Sequence, residues 1–152
     1  MRPATLASLA LGLALAGAGL AACDLEPDVG KPLNSRCSNL DSDPAVDISF
    51  ARDVRPLLAR RCSACHFPGS ENAIGFRLAG LDLSGYATLL KGGVRSAGTI
   101  TVAGSPCDSI IIKKVSPGPP FGSRMPLNGP PFLAPSEIGL IHDWIAEGAR
   151  DN

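Results

Sequence analysis

The chain has 152 residues, enough for one folded domain, and its 14 Lys and Arg balance 14 Asp and Glu. Removing residues 1–22, which hold one arginine, leaves 13 basic against 14 acidic residues. This near-neutral balance lacks the basic footprint of a nucleic-acid-binding protein, so we expect no nucleic-acid partner.

Residues 1–22 have the profile of an export signal, with one early arginine followed by an uncharged run rich in Leu, Ala and Gly. The run ends in Leu-Ala-Ala directly before Cys23, which resembles the lipobox of bacterial lipoprotein signals. The sequence therefore predicts cleavage before Cys23 and lipidation of that cysteine. The protein would then be lipid-anchored at the periplasmic face or outer surface of the cell envelope. An ordinary signal peptide, or a membrane span that contains Cys23, is the alternative.

Residues 23–48 are predicted to be a flexible tether, because they combine prolines and acidic residues with few large apolar side chains. The folded domain is accordingly expected at 49–152. Asp53 is the expected N-cap of its first helix, and three consecutive isoleucines leave a strand as the alternative for its third helix. In all, four short helices are predicted, at 53–66, 84–93, 105–115 and 135–149.

The end of the first predicted helix carries the motif Cys-x-x-Cys-His, formed by Cys62, Cys65 and His66. Two cysteines at this spacing can each form a thioether with one haem vinyl group, and the adjacent histidine can ligate the iron. A dithiol that cycles with a disulfide is one alternative, although the region lacks the βαβ pattern expected around such a site. A zinc site is the other, and its fourth ligand would come from Cys37, Cys107 or His142.

A haem iron bound by His66 has a sixth position, for which the mature chain offers Met125 and His142. Met125 lies in residues 116–135, a loop stiffened by seven prolines, and such a loop can hold a thioether at the iron with little entropy to lose. His142 falls on the polar edge of the last predicted helix, where a surface role is the better interpretation. We therefore expect Met125 to be the ligand.

Cys37 and Cys107 remain when Cys23 is assigned to lipid and the motif cysteines to haem. Thiols of exported proteins tend to oxidise, so the sequence predicts a disulfide between these two residues. The bond would close a loop of about 70 residues and fasten the tether to the third helix.

Three blocks of sequence resemble class I c-type cytochromes, and specifically the planctomycete-type cytochrome c domains. The blocks are FARDVRPLLARRCSACH, GSPCDSIIIKKV and RMPLNGPPFLAPSEIGLIHDWIAEGA, which with their spacing span essentially all of residues 49–150. The resemblance implies an all-α cytochrome c fold around one covalent haem c, with the first and last helices crossing beside it. It assigns the thioethers to Cys62 and Cys65, the proximal ligand to His66 and the distal ligand to Met125.

The function that follows from this ligand set is not enzymatic, because His66 and Met125 together leave no iron position for oxygen, peroxide or substrate. We expect single-electron transfer with redox-protein partners at the cell envelope, as a tethered carrier or as the electron-entry module of a larger oxidoreductase. One alternative is a haem sensor or peroxide-reducing protein in which Met125 does not bind. Another is a surface lipoprotein whose haem is only structural.

The lipid anchor is tested by Cys23→Ser. We expect this variant to leave the membrane fraction or to remain unprocessed, because the lipid attaches to the thiol. Membrane fractionation and the mass of the product measure both effects. A variant that still fractionates with membranes at its mature size would contradict the anchor.

Overall fold

The computed structural model describes residues 37–152. Cys23 and the predicted export signal lie outside the described residues. Across 37–152 the chain is helical and contains no strand, in agreement with the all-α class. None of the helices in this range combines the length and apolarity that a membrane crossing requires.

Five α-helices form the described part of the chain: α1 (Arg55–His66), α2 (Ile74–Ala79), α3 (Tyr86–Lys91), α4 (Ile110–Val115) and α5 (Pro135–Ala146). One turn of π-helix at Phe50–Val54 leads into α1, and a 3-10 turn at Pro106–Asp108 precedes α4. Four of the α-helices correspond to the four predicted helices. The fifth, α2, escapes prediction because six residues with a glycine in second place are too short to show a helical period.

The first helical segment begins at Phe50, one turn earlier than the predicted Asp53 cap. Ser49 is the N-cap instead. Its hydroxyl accepts a hydrogen bond from the Arg52 N–H (3.1 Å), and its own N–H donates to the Asp53 carboxylate (2.9 Å). Asp53 thus supports the cap from inside the first turn, where a carboxylate also suits the positive end of the helix dipole.

Ser109 divides the third predicted helix into the 3-10 turn and α4. Its backbone is extended (ψ 124°), its hydroxyl donates to the Ser105 carbonyl (3.0 Å), and the Val102 N–H donates to that same hydroxyl (2.8 Å). The isoleucines that follow are helical, so the strand alternative for this segment is wrong.

The start of α5 lacks the Ser or Thr cap that is usual there, because Ala134 occupies the N-cap position. The Glu137 carboxylate instead accepts a hydrogen bond from the Ala134 N–H (2.9 Å). Half of a capping box therefore stabilises the helix start without a hydroxyl.

An aromatic cluster packs α5 across the first helical segment. The ring of Trp144 lies 5.5 Å from that of Phe50, which in turn lies 5.3 Å from that of Tyr86. The Trp144 indole N–H donates to the Arg150 carbonyl, and the Tyr86 hydroxyl donates to the Ala149 carbonyl, each at 2.9 Å. The polar atoms of both rings are thus satisfied, and the end of the chain is held on the core.

Residues 37–48, which we call the strap, lie against the domain and correct the predicted boundary at residue 49. Cys37 and Cys107, the predicted pair, form a disulfide. The Cys107 N–H also donates to the Asn39 side-chain carbonyl (2.9 Å). The first part of the strap is therefore attached to the 3-10 turn before α4.

The rest of the strap is held by carboxylates of α5 and its C-cap. The Ser42 N–H and hydroxyl both donate to the Asp143 carboxylate, and the Ile48 N–H donates to the Glu147 carboxylate (2.9 Å). These polar contacts are why a segment with few apolar side chains is ordered here. Amino-acid composition indicates how much apolar surface a segment can bury, and it gives no information about hydrogen bonds of this kind.

Asp143 is the main polar anchor of the strap. Burial raises the pKa of its carboxyl, but hydrogen bonds from Ser42 and His142 outweigh burial and leave the pKa below its usual value. Because the pKa of this carboxyl is lower in the folded than in the unfolded chain, the ionised carboxylate stabilises the fold at pH values above the unfolded pKa. That contribution is lost as pH falls through the folded pKa.

We expect Asp143→Asn to lower the free energy of unfolding by about 2 kcal/mol at pH 7, because two strap donors lose a charged acceptor. The difference between variant and wild type in the free energy of unfolding should be smaller at about pH 3, which is below the pKa of an aspartate in the unfolded chain. Urea unfolding at the two pH values, followed by circular dichroism, measures this. Asp151→Asn, at an exposed position, is the control. An equal difference in the free energy of unfolding at both pH values would contradict a stabilising role for the charge of Asp143.

Candidate functional site

Cys62, Cys65 and His66 occupy the C-terminal part of α1, and all three side chains are partly buried. Their spacing of three and four residues places them on one side of the helix. The helix ends at His66 because Phe67 is extended (ψ 128°), and the Phe67 side chain packs against the core. The motif therefore lies where the helix meets the hydrophobic interior.

The His66 imidazole is oriented by a backbone carbonyl. Its Nδ1 lies 3.2 Å from the Leu81 oxygen, and since that oxygen can only accept, Nδ1 carries the proton. Burial lowers the pKa of His66 more than the Leu81 contact raises it, so the ring is neutral near pH 7. A neutral ring with a donating Nδ1 presents the Nε2 lone pair, which is the state that a metal requires.

Gly75 on α2 packs directly against the His66 ring. A Cβ at this position would lie 2.6 Å from Cε1 and 2.7 Å from Nε2 of the imidazole, too close for any side chain without movement of the ring. The His66 carbonyl accepts a hydrogen bond from the Leu83 N–H (3.0 Å), which holds the same neighbourhood together. Sequence reasoning missed Gly75 and Leu81, and the glycine inside the apolar stretch IGFRLA was the available signal.

The Cys62 thiol is protonated at neutral pH. Burial raises its pKa to about 11, and the nearby Arg61 charge offsets only part of this effect. Zinc binding and disulfide exchange both use the thiolate, and reactive cysteines have lowered pKa values. In the metal-free protein, the Cys62 thiol is therefore unlike a reactive redox cysteine.

The candidates for a fourth zinc ligand are all engaged elsewhere. Cys37 and Cys107 form the disulfide. The His142 ring nitrogens lie 2.8 Å from the Asp143 carboxylate and 2.6 Å from the Ser38 carbonyl. His142 is thus a strap contact rather than the surface residue expected, because the strap covers the edge of α5 on which it lies. In residues 37–152 no three His, Cys, Asp or Glu side chains converge in an arrangement that could hold a metal ion.

The loop that carries Met125 is attached to the end of α1. Arg61, the residue before Cys62, donates through Nη2 to the Pro131 carbonyl (3.1 Å) and lies 3.7 Å from the Glu137 carboxylate through Nε. That Nε is buried and has no hydrogen-bond partner among the described residues. The contacts bring the loop and the start of α5 beside the motif.

Met125, near the middle of this loop, is held against the end of α4. Its N–H donates to the Lys114 carbonyl (2.8 Å), and the Arg124 Nε donates to the Val115 carbonyl (2.8 Å). The Met125 side chain packs against the same hydrophobic core as Cys62. The structure thus places two of the four predicted haem residues, Cys62 and Met125, against one core.

A cavity of about 570 Å³ lies between the end of α4, the loop and the first turns of α5. Its wall includes Arg124, whose guanidinium lies 4.4 Å from the centre of the Phe132 ring. None of the four predicted haem residues lines this cavity. It is therefore a separate feature beside the loop.

Comparisons with protein-family models, with curated proteins and with solved structures find no match to this chain. The resemblance to c-type cytochromes thus rests on the three sequence blocks.

The contact between Gly75 and His66 is tested by Gly75→Ala. We expect a loss of about 1–3 kcal/mol in the free energy of unfolding, because the added methyl group must displace the imidazole. The chemical shifts of the His66 ring protons should move as well. Gly139→Ala is the matched control, since nothing lies within 4 Å of a Cβ at this helical glycine and alanine is the better helix former. A Gly75→Ala variant as stable as the control, with unchanged ring shifts, would contradict the contact.

Proposed function

We propose that this protein is a small c-type cytochrome that transfers single electrons at the cell envelope. The observation that carries the proposal is the state of His66: a neutral imidazole, fixed by Leu81 and presenting Nε2, next to two cysteines outside any disulfide on the same side of α1. When bound, the haem would supply one reversibly exchanged electron. On this proposal the helices form a cytochrome c fold around it.

Each residue of the motif has a role that fits its surroundings. Cys62 and Cys65 would form the thioethers, and their place near the core would hold the group in a water-poor environment. His66 would be the proximal ligand. The Leu81 carbonyl orients its ring and increases the basicity of Nε2, as such partners do for metal-bound histidines.

Met125 is the proposed distal ligand. Its loop is fastened at Lys114 and Val115 on one side and at Arg61 on the other, so the thioether can be held with little loss of entropy. His142, the competing ligand, would have to leave both Asp143 and the strap carbonyl of Ser38.

The remaining parts of the proposal concern location and partners. The LAAC sequence supports a lipid anchor at Cys23, and the disulfide fits an oxidising compartment. The partners would be redox proteins of the envelope, and the protein would act as a carrier or as the electron-entry module of a larger oxidoreductase.

Covalent haem is tested by denaturing electrophoresis. We expect a band that stains for haem after denaturation, because thioether bonds survive unfolding. The double variant Cys62→Ala and Cys65→Ala should lose the stain completely. The double variant Cys37→Ser and Cys107→Ser is the control and should keep it, since these cysteines are joined to each other. A colourless wild-type protein that contains zinc would end the proposal.

The sixth ligand is tested by Met125→Ala. We expect loss of the weak sulfur-to-iron absorption band of the oxidised protein, and carbon monoxide binding to the reduced protein. Met125→His should keep six-coordination and lower the potential by on the order of 100–300 mV, within the range that axial ligands command.

His142→Ala is the control for ligation and should leave the spectrum and potential unchanged, although it loosens the strap. Carbon monoxide binding to the wild-type protein would instead favour the sensor or peroxide-reducing alternative. Very slow electron exchange with soluble mediators would favour the lipoprotein with a structural haem.

A further inference from the structure

His142 on α5 lies between two hydrogen-bond acceptors. Its Nδ1 is 2.8 Å from the Asp143 carboxylate, and its Nε2 is 2.6 Å from the Ser38 carbonyl oxygen in the strap. A carbonyl oxygen and an ionised carboxylate can only accept hydrogen bonds, whereas a neutral imidazole has one donor nitrogen and one acceptor nitrogen. Both contacts are therefore hydrogen bonds at the same time only when His142 carries a proton on each nitrogen.

Asp143 is the ionised member of this arrangement. Burial raises the pKa of its carboxyl, but the hydrogen bonds from Ser42 and His142 outweigh burial, so the carboxylate is ionised at neutral pH. We call Ser38, Ser42, His142 and Asp143 the clasp, because they join the strap to α5. A neutral His142 would turn a lone pair toward one of the two acceptor oxygens, and that contact would then be repulsive.

The other charged groups on the elements around His142 are engaged elsewhere. On α5, its C-cap and the strap, Glu137 contacts Ala134 and Arg61, Glu147 and Asp47 contact Arg150, and Asp41 and Asp43 accept from strap N–H groups. On the segments that pack against α5, Arg52 pairs with Asp53, Asp108 accepts from Ser105, and Lys113 and Lys114 donate to backbone carbonyls. Asp143 is therefore the carboxylate that acts directly on His142.

Arg124 is the one charged residue of the loop 116–134, and it lines the same cavity as His142. Its guanidinium donates to the Val115 carbonyl (2.8 Å) and lies over the Phe132 ring. A second positive charge on this cavity opposes protonation of His142. The ionised Asp143 favours it and is in direct contact, where the electrostatic interaction is strongest.

The two ends of the strap are held independently of His142. Cys37 is bonded to Cys107, and the Ile48 N–H donates to the Glu147 carboxylate (2.9 Å). Among the described residues, 40–46 form hydrogen bonds to the rest of the domain only through Ser42. The apolar side chains of this stretch, Leu40 and Val46, are exposed. The interior of the strap thus depends on the clasp.

We propose that protonation of His142 holds the interior of the strap on α5, and that residues 38–47 leave the helix when the imidazole becomes neutral. Histidine is the side chain whose charge ordinarily changes between about pH 5 and pH 8. Because the folded chain favours the second proton, it binds more protons in this range than the unfolded chain, and the clasp weakens as pH rises. Opening would uncover His142 and one wall of the cavity beside the loop. The inference requires neither the haem nor electron transfer.

The experiment uses the full chain labelled with ¹⁵N at about pH 5.5 and about pH 8.5. The ¹⁵N shifts of the His142 ring report which nitrogens carry protons. The solvent exchange rate of the Ser42 N–H, corrected for the intrinsic effect of pH, reports opening of the clasp. His142→Gln removes the titrating group and keeps a donor. Asp43→Asn is the control, since this exposed strap carboxylate accepts only from the Ala45 N–H.

At about pH 5.5 we expect both His142 ring nitrogens to be protonated and the Ser42 N–H to be protected. At about pH 8.5 the corrected exchange rate of Ser42 should be about tenfold higher, which corresponds to about 1.4 kcal/mol. Asp43→Asn should show the same change as the wild type. His142→Gln should have equal corrected rates at the two pH values.

A ring with only one protonated nitrogen at about pH 5.5 would overturn the proposal, and so would equal Ser42 exchange rates at both pH values in the wild type. A His142→Gln variant that keeps the wild-type pH dependence would also overturn it, because another group would then control the strap. These outcomes leave the proposed function untouched, since that proposal is tested by the haem stain and the absorption spectrum.

Discussion

Trp144 makes the contact on which the rest of the fold depends. It is 1% exposed, and its ring joins α5 to the segment that begins at Phe50. Burying an indole of this size contributes several kcal/mol, and the hydrogen bond to the Arg150 carbonyl removes the cost of burying its N–H. Because α1 continues directly from the Phe50 segment, this packing also sets the direction in which the motif points.

A second consequence of this packing concerns the loop between α4 and α5. With both helices fixed, the two ends of the loop are fixed as well, and Arg61 can reach the Pro131 carbonyl. The long proline-rich segment is therefore ordered by a few hydrogen bonds to α1 and α4, without regular structure of its own. Ordered loops on a rigid scaffold often carry functional residues.

The sequence predicts well what depends on local pattern. Apolar spacing and punctuation by Gly and Pro locate four helices, and the cysteine count identifies the pair Cys37 and Cys107. The order of residues 37–48 was missed because it depends on contacts between residues far apart in the chain. The strap is ordered by Asp143, about a hundred residues away, and no local rule contains that bond.

The candidate site likewise combines residues that the sequence indicates with residues that it does not. The motif is local, so its three residues are evident from spacing alone. The groups that set their chemical state are not local: Leu81 fixes the His66 tautomer, Gly75 makes room for the ring, and burial raises the pKa of Cys62. The cap error at the first helical segment has a similar origin, since Ser49 and Asp53 exchange hydrogen bonds and either could be assigned the cap from its residue type.

The raised pKa of Cys62 also affects thiol–disulfide exchange between the motif and the disulfide of Cys37 and Cys107. Burial raises the pKa of Cys62 to about 11, so this thiol is almost entirely protonated at neutral pH in the folded chain. Thiol–disulfide exchange proceeds through the thiolate, so attack by Cys62 on the bond between Cys37 and Cys107 is slow in the folded chain. Burial of Cys62 thereby protects the pairing of Cys37 with Cys107 against exchange with this thiol.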